Sequence, residues 1–255
     1  MILPAGPCHK EQIVALWSDA FGDRAEDVER YLETILEYFL VYEEDGIVKG
    51  MLSVLPVSFF EQNGGYIYAV VTDKKYRGQG ICNKLMEFVK ANNKYDFLAL
   101  KPQNDGLFSF YEKMGFYKVT QLEKKEMCVT KEEKNYQLKR LSAQEYETAR
   151  NAYFNDNIIK WDSTMLSFAK EMYNGDFYGV EESGKSIGLA FLYKEKDIVV
   201  IKELLAEEQE TVASFIGNEL SCSKIKFTIR NQRGNESFMI YPNVKEKGYF
   251  NIYLD

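Results

Sequence analysis

"YIYAVVTDKKYRGQGICNKLMEFVKANN", residues 66–93, sets an aromatic and β-branched run before an Arg-Gly-x-Gly turn and then an amphipathic run. Tyr, Ile and Val suit a pleated, half-buried strand. Ile81, Leu85, Phe88 and Val89 fall at i, i+4, i+7 and i+8, which predicts one helix face against a core. Between strand and helix, Gly78 and Gly80 admit positive φ and let another group approach the backbone. A helix that starts there opens with unsatisfied N–H groups, which is an anion site by geometry, and Arg77 adds a planar cation suited to phosphate oxygens. Two readings fit these residues: a phosphate cradle, or a bend carrying a solvated arginine. A dinucleotide fingerprint would need a third glycine where Asn83 stands, and a P-loop would need Gly-Lys-Ser/Thr.

Downstream, the apolar "DFLAL" at 96–100 predicts a buried strand, and "NDGLFSFYEKMGF" at 104–116 predicts a helix. Leu107, Phe110, Tyr111 and Met114 form its expected apolar stripe, and Gly115 is placed to end it in a left-handed cap. Asn104 precedes Tyr111 by seven residues. By itself Tyr111 reads as a core tyrosine.

The chain repeats itself. "FLVYEEDGIVKG" at 39–50 and "FYGVEESGKSIG" at 177–188 share Phe, Glu-Glu, Gly and Gly at a constant offset of 138, since 177 − 39 and 188 − 50 are both 138. Each predicts a hairpin with a tight turn. Each is preceded by a helical pattern and followed by strand, helix and strand, so the expected class is α/β with mixed sheets, built from two tandem units. The charged "TKEEKN" at 130–135 is the natural seam, giving domains at 1–130 and 131–255.

The chain has 255 residues, of which 45% are hydrophobic and 28% charged, the usage of a globular protein. A net charge of −7 disfavours nucleic acid as a partner, because phosphate backbones select basic faces, and mildly favours a cationic substrate. Cys8, Cys82, Cys128 and Cys222 form no Cys-x-x-Cys pair, so no metal site or disulfide framework is expected. Neither a spanning run nor a signal-peptide pattern is expected, and a cytoplasmic protein without membrane partners follows as the expectation. His9, the one histidine, reads as a cap or surface residue.

Taken together, the two motifs resemble the GCN5-related N-acetyltransferase (GNAT) superfamily. Its Arg-x-x-Gly-x-Gly/Ala motif maps onto Arg77, Gly80 and Cys82, and its Asn-to-Tyr motif closed by Gly-Phe maps onto Asn104, Tyr111, Gly115 and Phe116. "VVTDKKYRGQG" most resembles the Eis-like branch, whose members carry a second, degenerate acetyltransferase-like domain. The resemblance implies, for each unit, a mostly antiparallel sheet with a splayed parallel pair and flanking helices. It implies that acetyl-CoA is the cosubstrate, with no metal. The amides of Gln79, Gly80, Ile81, Cys82 and Asn83, beside Gly78 and Arg77, would cradle the pyrophosphate. The main chain of Val70 and Thr72 would pair with the pantetheine arm, and an amide of Val70 or Val71 would face the thioester oxygen as an oxyanion donor. Asn104 would hold the cofactor arm or the helix start. Tyr111 would be the general acid, since a phenol near pKa 10 lies within about two units of a thiol near 8.5.

Three departures from the family pattern stand out. Cys82 replaces a Gly or Ala, and Lys74 stands where a proline is common. The strand at 66–73 offers Tyr66 and Tyr68 where many members place a glutamate base, so no base is assigned; Asp255 at the chain's end is one option. In the second unit the corresponding turn reads "LLAEEQETVAS", and Glu207, Glu208 and Glu210 would repel a pyrophosphate. The expectation is therefore one cofactor site per chain. The implied function is transfer of an acetyl group to a primary amine of a small cationic molecule or peptide. Two alternatives are an acyl-CoA-binding pseudo-enzyme and an aminoacyl-tRNA-dependent peptide transferase.

Overall fold

The computed structural model describes residues 1–92, 94–119, 122–131, 134–154, 159–230, 238–242 and 254. The chain divides into two compact units, Met1–Leu100 and Lys101–Asp255. The first holds β1 (Ile2–Pro4), α1 (Lys10–Phe21), α2 (Ala25–Ile35), β2 (Phe39–Glu44), β3 (Ile47–Phe59), β4 (Gln62–Thr72), α3 (Ile81–Lys90) and β5 (Phe97–Leu100). Its strands lie in the order β1-β2-β3-β4-β5, all antiparallel except the β4/β5 pair.

Trp17 organises one face of this sheet. Its ring lies 5.9 Å from Phe39, 6.2 Å from Tyr31 and 5.5 Å from Tyr68, and its indole N–H donates to Asp23 at 2.7 Å. Val28, Tyr31, Leu32 and Ile35 of α2, spaced i, i+3, i+4 and i+7, are all buried. On the other face, a Cβ added at Gly50 would come within 2.7 Å of the Ile81 side chain. The missing side chain therefore seats the first turn of α3 directly on β3. The buried α3 residues are Ile81, Leu85, Met86 and Val89. Phe88, expected on that face, is 43% exposed, and Met86 takes its place.

The second unit holds α4 (Asp105–Lys113), β6 (Tyr117–Lys118), β7 (Leu122–Cys128), β8 (Tyr136–Leu141), α5 (Ala143–Phe154), α6 (Ser163–Tyr173), β9 (Asp176–Glu182), β10 (Lys185–Glu195), β11 (Ile198–Ala206), α7 (Gln209–Glu219), β12 (Lys224–Arg230) and β13 (Met239–Tyr241). Six strands form a mixed sheet in the order β7-β12-β11-β10-β9-β8, with β11/β12 the parallel pair. β6 pairs antiparallel with β13. The residue 130/131 boundary falls between β7 and β8, which are the two edges of this one sheet.

The sequence repeat is a repeat of register. Phe39 pairs with Ser53, Leu40 with Leu52, Val41 with Met51, Tyr42 with Gly50, Glu43 with Val48 and Glu44 with Ile47. Adding 138 to each number gives the β9/β10 ladder, from Phe177 with Phe191 to Glu182 with Lys185, including the position of the register shift. Both turns place two residues at positive φ, Asp45-Gly46 and Ser183-Gly184, as a two-residue hairpin with right-handed strand twist requires. The shared glycine also does one job twice. A Cβ at Gly188 would lie 3.1 Å from the Leu205 carbonyl and 3.5 Å from Val212 of α7, as one at Gly50 would lie 3.1 Å from the Val71 carbonyl and 2.7 Å from Ile81 of α3.

Candidate functional site

β4 and β5 run side by side for three positions only, Gly64 with Phe97, Gly65 with Leu98 and Tyr66 with Ala99. Two glycines permit that contact: a Cβ at Gly64 would sit 2.1 Å from the Phe97 ring, and one at Gly65 would sit 2.4 Å from Val54. Beyond Tyr66, β4 continues to Thr72 while β5 ends at Leu100, and among the described residues no strand pairs with that edge of 67–72. On its β3 side the ladder slips between Met51/Val71 and Ser53/Tyr68, so Ala69 and Val70 together oppose Leu52. Ala69 sits at φ +51, a left-handed conformation that costs an L-residue roughly 1 kcal/mol. The buried Ser53 hydroxyl donates to the Tyr68 carbonyl at 3.0 Å and pins the bulge from the neighbouring strand. Val70 and Thr72 are half-buried, and Val71 is buried.

Past Thr72 the chain makes one 3-10 turn, Lys74–Tyr76, capped by Asp73, whose carboxylate accepts from the Lys75 amide at 2.8 Å. Arg77 donates through Nε to the Thr72 carbonyl at 3.2 Å, which folds it back over the end of β4. Gly78 and Gly80 have φ of +79 and +74, and a Cβ at either would meet nothing within 4 Å. The glycines thus satisfy a backbone demand while the space above them stays open. Gly80 is the N-cap of α3; no side chain caps that end and no acidic residue occupies its first turn. Burial pushes the Cys82 thiol up to about 11, so it is neutral at pH 7 and adds no negative charge to the helix start. Lys74 pairs with Asp19 at 2.8 Å on the surface.

α4 begins and ends with capping devices. Asn104 accepts the Leu107 amide on its side-chain oxygen at 3.1 Å, so of its two expected roles the helix start is the one seen. At the other end Gly115 has φ +86, its amide donates to Glu112 at 2.9 Å, and the Phe116 amide donates to Tyr111 at 3.1 Å. This is the Schellman pattern, and the apolar contact that accompanies it joins Phe116 to Tyr111, with ring centroids 5.9 Å apart. Tyr111 is buried with Phe108; Leu107, Phe110 and Met114, expected beside it, are only half-buried. The Gly-Phe of the motif therefore fixes where the Tyr111 ring sits.

Tyr66 and Tyr68 stack at 6.4 Å, and Tyr68 also meets Trp17 edge-on. β4 carries no carboxylate, and Asp255 lies outside the described residues. His9 is buried: Nδ1 accepts from the Gly6 amide at 2.9 Å and Nε2 lies 3.0 Å from Glu43. It caps the chain start, and the surface alternative does not hold. Sequence reading missed Gly50, Ser53 and the cap Asp73. Gly50 carried a signal in its recurrence as Gly188, whereas Ser53 needed the bulge geometry.

Residues 10–116 match the family model described as "Acetyltransferase (GNAT) family". Among curated proteins nothing matches the chain. Among solved structures, a GCN5-related N-acetyltransferase from Anabaena variabilis aligns with TM-score 0.72 at 17% identity, over 94% of this chain and 72% of that one. Eis1 from Mycobacterium abscessus aligns with TM-score 0.61 at 9% identity, over 94% and 73%. A tandem GNAT protein from the clavulanic acid biosynthesis pathway aligns with TM-score 0.53 at 11% identity, over 94% and 97%. At these identities the structural likeness speaks for the fold. The chain resembles the GNAT superfamily in its tandem, Eis-like form: residues 10–116 carry the family's sequence pattern, and 94% of the chain follows its fold. The family match over residues 10–116 supports N-acyltransferase activity.

Proposed function

We propose that this protein is a cytoplasmic N-acetyltransferase that moves an acetyl group from acetyl-CoA to a primary amine. It is assembled from two copies of one fold that meet near residue 130, the second of them degenerate. The observation that carries the reading is the turn from Arg77 to Asn83. Two glycines at positive φ face open space, an uncapped helix end follows, and no carboxylate lies in its first turn. Such an end attracts a pyrophosphate through both its free amides and the helix dipole.

In this mechanism the edge of β4 from Val70 to Thr72, which β5 leaves unpaired, takes up the pantetheine arm as an added strand would. The amine attacks the thioester carbonyl, and the amide of Val70 or Val71 at the bulge donates to the oxygen that becomes negative. When the tetrahedral intermediate collapses, the C–S bond breaks, the Tyr111 phenol gives its proton to the departing thiolate, and the proton that the amine nitrogen sheds to solvent as the amide forms is matched by one that restores the phenol. The acceptor is a small cationic amine or a peptide, in keeping with the net charge of −7.

Calorimetric titration of acetyl-CoA tests this directly. The parent protein is expected to bind one equivalent at micromolar concentration, and Arg77→Ala with Gly80→Glu to abolish binding. Absence of binding to the parent would refute the proposal. The lack of a carboxylate on β4 favours one second reading, an acyl-CoA-binding protein without turnover. It predicts the same titration but no product on any amine panel.

A further inference from the structure

The second unit contains a cavity of about 560 Å³ that plays no part in the proposed transfer; it opens on the face of the six-stranded sheet opposite α7. The alternation of β11 and β12 shows which residues point there. Val199, Ile201, Ile225 and Phe227 pack with α7, so Val200, Lys226 and Thr228 face the other way. Cross-strand pairing sets two rows on that face. Thr228 is opposite Lys124, and Lys226 is opposite both Glu126 and Val200, with Val200 opposite Tyr193.

A bulge changes the chemistry of this face. Leu192 pairs with Ile201, but Phe191 pairs with Glu203, so Lys202 is the extra residue of β11. Lys202 and Glu203 therefore emerge side by side on one face, whereas alternation would separate them. Glu203, wholly buried, is held by Arg150 at 2.8 and 2.9 Å and by Tyr146 at 2.8 Å. On that same face the Lys202 ammonium lies 4.4 Å from the centre of the Tyr173 ring, which stacks on Tyr193 at 5.6 Å. The parallel pairing ends at Ile201/Phe227, and the next residue on each strand, Lys202 and Thr228, lines the cavity. Lys124, paired with Thr228 from β7, and Lys202, on the neighbouring β11, thus line the same cavity as the Thr228 side chain. Lys226 stands two residues away on the same strand. Among the described residues, Glu126, 3.9 Å from Lys226, and Glu195 are the acidic residues of the lining.

From this arrangement we infer that the second unit binds a small, multiply charged anion, gripped by Lys124, Lys202 and Lys226 with Thr228 as the neutral donor. In a chain with 39 acidic and 32 basic residues, this patch reverses the prevailing sign. The ligand's charge comes either from phosphoryl groups or from clustered carboxylates, which ammonium and hydroxyl donors serve alike. The site is separate from the Arg77 turn, and the inference stands whether or not acetyl-CoA binds there.

Inorganic pyrophosphate and citrate, titrated separately by calorimetry, test it. At least one is expected to bind the parent chain with Kd below about 1 mM. Titrated into chains that already carry Arg77→Ala with Gly80→Glu, so that the turn at 77–83 adds no pyrophosphate site of its own, Lys124→Gln with Lys202→Gln should weaken that binding by about tenfold or more. Thr228→Val, which keeps the side-chain shape, should weaken it by about threefold and serves as the second variant if the lysine pair impairs folding. Binding of pyrophosphate alone assigns phosphoryl ligands, and binding of citrate alone assigns carboxylates. If neither anion binds the chain that carries Arg77→Ala with Gly80→Glu, or if binding there is unchanged by the lysine and threonine variants, the inference is overturned.

Discussion

Two passages of this chain follow the same plan and end in opposite chemistry. β4 runs into α3 through Arg-Gly-Gln-Gly, and β11 runs into α7 through Glu-Glu-Gln-Glu. Each helix is seated over a β-strand glycine, Gly50 or Gly188, and each follows a hairpin with identical register. The first helix starts with two glycines over open space and no acidic side chain. The second starts at Glu208 with Glu210 in its first turn, Glu210 pairing with Lys125 at 2.6 Å and Glu208 lying 3.9 Å from Lys134. The parallel pairs differ as well: β4/β5 match at three positions and β11/β12 at four. The packing device is common to both, so it belongs to the fold. The anion site needs the turn residues, which only the first passage retains.

A second contrast lies one strand further in. Ser53 and Phe191 occupy equivalent places in the two hairpins; Tyr68 opposes the first and Glu203 the second. The carboxylate absent from β4 is thus present on β11, but it is sealed under Arg150 and Tyr146 at 0% exposure. Glu203 holds the second unit together and is not available as a base. Glu203→Ala should break this contrast most severely, because it strands a buried guanidinium, at a cost of about 3–5 kcal/mol. Chemical denaturation would measure that loss. Tyr68→Phe, which keeps the ring against Trp17, should shift the midpoint far less, and equal losses would undo the assignment.

Next in size is the anion turn. Gly80→Glu alone should weaken acetyl-CoA binding by about 100-fold, or about 2.7 kcal/mol. Replacing Glu207, Glu208 and Glu210 by Gly, Gly and Ala should leave the stoichiometry at one, since the second passage lacks the arginine and keeps the longer parallel pairing. A second equivalent in that variant would mean that acidic residues alone silence the second unit.

Smaller again is the effect of the packing glycine. Gly50→Val should destabilise the first unit by about 1–3 kcal/mol, as overpacking does, because its Cβ lies 2.7 Å from Ile81. A melt with unchanged midpoint would show that α3 moves aside freely. The smallest effect concerns Glu44, whose carboxyl Lys49 and then Tyr42 hold down at about 2 by hydrogen bonding, against an ordinary 4.5. Its folded pKa is depressed, so its contribution is full above pH 4.5 and fades as pH falls toward 2. Glu44→Gln should flatten the acid limb of the stability profile slightly in that window, and an unchanged limb would show that the contact is fully screened.

Much of the fold was legible because it rests on short-range signals. The hairpin turns declare themselves in Asp-Gly and Ser-Gly, the α4 stop in Gly115, and the duplication in a constant offset of 138. The helix faces were read less well. Phe88 fits the period but faces solvent, while Met86 is buried, because a periodicity fixes a stripe and the neighbouring sheet decides how wide it is. The capping role of His9 was read, but its burial was not, for a related reason: its partner Glu43 lies 34 residues away.

By itself, then, the sequence determined the repeat, the order of elements and the residues of the turn at 77–83, since each depends on residues close along the chain. The tertiary structure alone decided that Ser53 pins the bulge at Ala69, that Gly50 seats α3, and that Glu203 is locked beneath Arg150. It also brought Lys124, Lys202 and Thr228 to one face of one sheet. Those contacts join residues up to about a hundred positions apart, and strand register, which no local pattern encodes, sets which of them meet.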